Sequence, residues 1–339
     1  MKLSVSAASA HAAMCAAVAA QLFLTLMLDF PATRNGAWLS ALLAGLAAMP
    51  VALSLIHREN RPVRRVFKPS TAAFMAAALL DAAETMRCVT RSAGFLALDE
   101  MQPVWLLLPV ALAMYWCVGK NGDALGYAAS VWLKIFPLLL VLVVAMQLRH
   151  LRPDWLFPLF GSGGRAIAGG ALHAAGGAAT LCGALLLQEN TGKPGKVLGA
   201  LAISAAVAAV LIALQLAMLP TSRDASALSW IDRLDGLITN GRAPLYLQLP
   251  MMILWFAALF HLLAWNCFLS AALMQRLLPG MNGRACVLIV VLAASLLSGQ
   301  VDSLGPLFRL RWIVLAAAAA AGLLFSRVGG GRGICVDSH

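Results

Sequence analysis

The sequence predicts an all-α integral membrane protein with about ten transmembrane helices. Three observations carry this. Apolar runs of about 18 or more residues, each long enough to cross a bilayer as a helix, recur from one end of the 339-residue chain to the other. Only 12% of residues are charged, about half the share of an ordinary soluble domain, roughly 25%. The mean hydropathy is +0.85. The runs are unbroken stretches of Ala, Leu and Val, and a membrane β-barrel strand alternates apolar with polar residues instead.

The spans follow in order near 8–30, 37–57, 70–98, 103–119, 125–148, 164–189, 197–219, 246–275, 283–299 and 307–326. The first is longer than the apolar core of a secretory signal and is read as a span. The connections are short, so the whole of 1–339 is expected to be one transmembrane domain with no soluble domain. The longest connection, near 221–243, places Trp230, Ile231, Leu234, Leu237 and Ile238 at helical spacing opposite Asp232, Arg233 and Asp235. That pattern predicts a short amphipathic helix at the membrane interface.

The formal net charge of +11 fits loops facing anionic lipid. No basic platform interleaved with aromatic residues points to nucleic acid. The basic cluster Arg58, Arg61, Arg64, Arg65 and Lys68 lies between the second and third spans. It places that loop in the cytoplasm, and an even number of spans then places both termini there. In the same tally Arg309 and Arg311 fall on the opposite side, at the start of the tenth span. The seven cysteines are scattered with no CxxC pair, and the six histidines show no ligand spacing, so neither a disulfide framework nor a metal is expected. No nucleophile–base set or nucleotide loop appears, and "GSGG" at 161–164 lacks the strand–helix context of a phosphate loop. The sequence is expected to be neither an enzyme nor a holder of a cofactor.

The third span contains "LLDAAETMRCVTR". At 100° per residue Asp81, Glu84, Arg87 and Arg91 share one stripe, and Glu84 and Arg87 are spaced to pair. Charges at membrane depth are costly unless paired or wetted. The stripe fits three arrangements: a helix lying flat on the membrane, a spanning helix whose ion pairs hold its neighbours, or a helix lining a ligand or ion path. The sixth span, "FGSGGRAIAGGALHAAGGAATLCGALLLQE", is dense in glycine. Its small residues allow close helix approach. Alternatively the helix breaks at Gly176–Gly177, with Thr180 one turn on, and offers free backbone groups to a ligand. Lys134, in "VWLKIFP", either carries a proton or snorkels to the interface. Gln21, His261 and Asn266 are candidates for hydrogen bonds between helices.

The order of motifs resembles a known family. "QLFL" at 21–24 leads to "FP" at 30–31 and "AWLSALLAG" at 37–45. "PVWLLLPVALAMYWCVGKNG" is followed by a helix carrying "IFPLLLVLVV", by "LRPDWLFPLFGSGG" and by a "GGAL" helix start. "ILWFAALFHLLAWNCFLSAAL" occupies 253–273. Over roughly 8–275 this resembles the membrane-spanning B subunit of spore nutrient-germinant receptors, a branch of the amino acid–polyamine–organocation permease superfamily. The resemblance implies two inverted five-helix repeats, near 8–148 and 160–300, with broken helices 1 and 6 and with spans nine and ten peripheral. It implies a small nutrient ligand, typically an amino acid, and two partners in the spore inner membrane: a subunit with a soluble domain and a lipoprotein. The family's Gly at the break of the first span is absent from "AAQLFLTLMLDFP", and its acid in the sixth span from "GGAATLCGALLL". The candidate ligand-binding residues are Gly176, Gly177, Thr180, Glu84, Asp81, Arg87 and Gln21, with Lys134 as the candidate for ion or proton coupling. A proton-coupled amino-acid or amine transporter is the alternative function.

Overall fold

The computed structural model of the chain describes residues 3–28, 34–59, 68–97, 103–119, 122–147, 153–157, 163–187, 194–218, 248–301 and 303–330. Ten α-helices lie among them: α1 Ala7–Leu28, α2 Ala37–Glu59, α3 Lys68–Ala97, α4 Pro103–Val118, α5 Gly122–Gln147, α6 Gly164–Cys182, α7 Pro194–Met218, α8 Gln248–Leu277, α9 Gly283–Ser298 and α10 Gly305–Gly330. Five helical stretches, in α1, α2, α6, α7 and α8, are long and apolar enough to cross a membrane, and shorter apolar stretches lie in α4, α9 and α10. The expected amphipathic helix near 221–243 falls outside the described residues.

Local chemistry sets several helix ends. The Ser6 hydroxyl accepts a hydrogen bond from the Ser9 N–H at 3.4 Å as α1 begins, and the Asn282 side chain accepts from the Arg284 N–H at 3.2 Å before α9. Each supplies a partner to one of the N–H groups a helix start leaves bare.

The bundle is built around α1 and α3. The first packs on α2, α5, α6, α7 and α8, and the second on α4, α6, α8, α9 and α10. Its interior is largely alanine, including Ala13, Ala17, Ala44, Ala48, Ala78, Ala175 and Ala208, so backbones approach closely. Gly126 on α5 shows how closely. A Cβ there would lie 2.2 Å from Ser9 Cβ and 2.5 Å from Ser9 Cα, so no side chain fits without moving α1.

Polar contacts at the two ends fix how the helices alternate. At one end the Leu3 N–H donates to Gln275 Oε1 at 2.8 Å, the Ser6 N–H to Asp123 Oδ1 at 2.8 Å, and the Gly122 N–H to the Ser4 carbonyl at 3.3 Å. The start of α1, the start of α5 and the end of α8 therefore share a face. Arg276 adds the end of α6 by donating to the Leu186 and Leu187 carbonyls. At the other end Asn35 donates to the Phe157 carbonyl at 3.0 Å, and the Ser40 hydroxyl to the Ile167 carbonyl at 2.9 Å.

Two expectations change. Helix α1 runs unbroken over its 22 residues. Helix α6 runs unbroken through Gly176–Gly177 and tightens only afterwards, into a 3-10 turn over Gly183–Leu187. A spanning helix keeps its ladder because no water lies at that depth to replace a lost backbone bond. Helix α10 presents an outer face, with Leu310, Ile313 and Val314 exposed, and packs on α2, α3 and α6. Helix α3 packs against five helices, with Asp81 to Met86 buried.

The Gly126 contact yields a test. Gly126→Leu should destabilise the protein by about 1–3 kcal/mol or more, the usual effect of overpacking, read as a lower unfolding temperature in detergent. Gly280→Ala, where nothing lies within 4 Å of the added Cβ, should leave that temperature nearly unchanged.

Candidate functional site

Every residue from Asp81 to Met86 is buried. Asp81 is 0% exposed and Glu84 7%. Thr85 donates its hydroxyl to the Asp81 carbonyl at 2.7 Å, and Thr90 to the Met86 and Arg87 carbonyls at 3.2 and 3.0 Å. Those back-bonds satisfy the hydroxyls within the helix. Arg87 is half-buried.

The counter-charge for Asp81 comes from α10. Arg311 forms an ion pair with Asp81, and both side chains are almost wholly out of solvent. The guanidinium also donates to the His173 carbonyl of α6 at 3.4 Å and stands 5.5 Å from the Phe308 ring. Next in sequence, the Trp312 indole donates to the Ala47 carbonyl at 3.0 Å and ties α10 to α2.

Two glycines make this approach possible. A Cβ on Gly176 would lie 2.9 Å from Arg311 Nε and 3.3 Å from the Trp312 nitrogen. One on Gly177 would lie 2.6 Å from Gln21 Cγ and 2.8 Å from Gln21 Nε2. The missing side chains admit Arg311 and Gln21; they do not break the helix. Buried Thr180 donates to the Gly176 carbonyl at 2.9 Å and reinforces the turn. Gln21, also buried, donates to Thr25 Oγ1 at 3.1 Å. Among the described residues no donor reaches Gln21 Oε1 or Asp81 Oδ2.

The site is thus a charged and polar cluster where α1, α3, α6 and α10 meet. No protein-family model matches the chain, and no curated protein matches it. The whole fold does match a solved structure. The crystal structure of MhsT in complex with L-phenylalanine superposes with a TM-score of 0.65, covering 98% of this chain and 90% of that one at 16% identity. The chain shares the overall fold of that protein. Five helices long and apolar enough to cross a bilayer make it a multi-pass membrane protein.

Within this fold the structure brings together Gln21, Asp81, Gly176, Gly177 and Thr180, with Glu84 one turn along α3 from Asp81. It does not bring Lys134 to them. That side chain is exposed on α5, a helix that packs on α1, α4 and α8. The residue that sequence reasoning missed is Arg311. Counting charges near span ends assigned it to one membrane surface at the start of the tenth span, whereas it lies inside α10, buried against Asp81. The available signal was Phe308 three residues before it, on the same helical face.

Removing one partner of a buried pair strands the other charge. Asp81→Asn should therefore cost about 3–5 kcal/mol, seen as a large drop in unfolding temperature. Asp81→Asn/Arg311→Met should recover most of that loss, and a double variant no more stable than the single would rule out the pair. Gly177→Ala should also destabilise, and adding Gln21→Ala, which removes the clashing atoms, should restore the unfolding temperature.

Proposed function

We propose that this chain is a permease-like membrane protein that binds a small nutrient of the amino-acid class where α1, α3, α6 and α10 meet. The supporting observation is the buried cluster of Asp81, Arg311 and Gln21 in an APC-like transporter fold. The solved protein of similar fold holds an amino acid, L-phenylalanine. We propose further that the chain has ten spans in two inverted repeats, with both termini cytoplasmic. Its role is that of the membrane-spanning subunit of a spore nutrient-germinant receptor, beside a subunit with a soluble domain and a lipoprotein in the spore inner membrane. The sequence resemblance supports that part. Glu84 favours a second function. A buried carboxyl one turn from Asp81 is a natural proton carrier, as a proton-coupled amino-acid or amine transporter needs.

A ligand that binds only the folded state stabilises it by about 2.7 kcal/mol at a hundredfold excess over Kd. Titrating the purified protein with each of the twenty amino acids should therefore raise its unfolding temperature for at least one. A flat response to all twenty would remove the amino-acid site. Proton-driven uptake of the stabilising amino acid into proteoliposomes would select transport. Stabilisation without uptake, with germination lost in a deletion strain, would select sensing.

A further inference from the structure

Asp81–Arg311 is a poor staple. Replacing a buried ion pair by apolar residues of similar size is often neutral or stabilising. This pair is also incomplete, because Asp81 Oδ2 receives no hydrogen bond from any described residue. A second bare acceptor, Gln21 Oε1, lies against the next glycine of α6. The Arg311 and Gln21 side chains therefore border Gly176 and Gly177, and Asp81 joins them through its ion pair with Arg311. The complementary ligand carries a carboxylate for the guanidinium fork and a cation with several N–H donors for the acceptors.

An α-amino acid zwitterion has both. We infer that it binds by exchange with the buried pair: its carboxylate takes Arg311, its ammonium takes Asp81 and Gln21, and α10 is released from α3. The exchange presupposes the amino-acid site proposed above and adds the residues that hold the two charged ends. It keeps every charge matched, since the pair and the ligand each carry one positive and one negative group. An amine or a carboxylic acid alone leaves one buried charge without a partner, which is strongly unfavourable. Beside the ion pair, α10 meets α3 through Phe308 against Ala83, with Leu80, Val301 and Leu304 around them.

The test measures binding of the stabilising amino acid to the full-length wild type, to Arg311→Lys and to Asp81→Asn/Arg311→Met. Arg311→Lys keeps a cation opposite Asp81 but loses the two-pronged grip on a carboxylate. It should hold its unliganded unfolding temperature and bind roughly tenfold more weakly. The double variant should stay folded and bind at least about a hundredfold more weakly. On the wild type, the matching decarboxylated amine and deaminated acid should each bind about a hundredfold more weakly than the amino acid. This arm stands even if the double variant does not fold. Binding within about threefold of wild type in Arg311→Lys or in the double variant, or an amine or acid that binds as well as the amino acid, overturns the exchange and leaves the amino-acid site standing. A wild type that no amino acid stabilises overturns both.

Discussion

A charge inside a bilayer must find its partner within the protein. Asp81 lies in the middle of α3, sealed by five helices, and an isolated carboxylate there would be several kcal/mol out of balance. Arg311 supplies the partner, and the rest of the packing follows from bringing it there. Helix α10 must come close enough for a guanidinium to reach α3, so α6, which lies between α10 and α1, must lose a side chain where Arg311 crosses it. That position is Gly176. The next residue on α6 faces α1, and Gly177 lets the Gln21 side chain lie against the backbone. An acid on the third helix, an arginine on the tenth and two adjacent glycines on the sixth thus form one connected requirement.

The surrounding bundle meets this requirement with small residues and carbonyl acceptors. Trp312 anchors α10 to α2 through Ala47, which limits how far Arg311 can swing. Ser204 on α7 donates to the Cys15 carbonyl at 2.9 Å and holds α1 from the opposite side. Trp255 on α8 donates to Ser92 at 3.1 Å, and Ser270 to the Met75 carbonyl at 3.2 Å, fixing the register of α3 on both sides of Asp81. Most of these bonds end on backbone carbonyls that already serve the helix. A single hydroxyl or indole can therefore join two helices without leaving a polar group unpaired.

Much of the fold was legible because apolar length is a strong signal. The helix expected near 283–299 is Gly283–Ser298, and the one expected near 103–119 is Pro103–Val118. The inward stripe of α3 was legible from its 100° spacing. Two features were not, for distinct reasons. A glycine pair looks the same in sequence whether the absent Cβ frees the backbone or admits a neighbour. Only the positions of Arg311 and Gln21 decide between these, and both are remote in the chain. Arg311 itself was hidden because a charge near the start of an apolar run looks the same in sequence whether it reaches out to the membrane surface or turns inward to a buried acid. The two acids and two arginines of α3 also summed to zero, so the local stripe gave no reason to look for a cation elsewhere.

Continuity of α1 and α6 has a consequence for recognition. A discontinuous helix offers a ligand the bare N–H groups of a half-helix, whose partial positive charge can receive a carboxylate. An unbroken helix keeps those donors in its own ladder. In the described part of this bundle, a carboxylate entering near Gly176 and Gly177 therefore meets side-chain chemistry, and the cation at that point is Arg311. A guanidinium grips a carboxylate with two parallel bonds, which a half-helix end does not do. Its positive charge must also be balanced when the site is empty, and Asp81 serves as that balance. In the exchange proposed above, the residue that balances Arg311 in the empty bundle is the one a ligand's ammonium takes over. Recognition by side chains in place of backbone ties the site directly to the contact between α3 and α10.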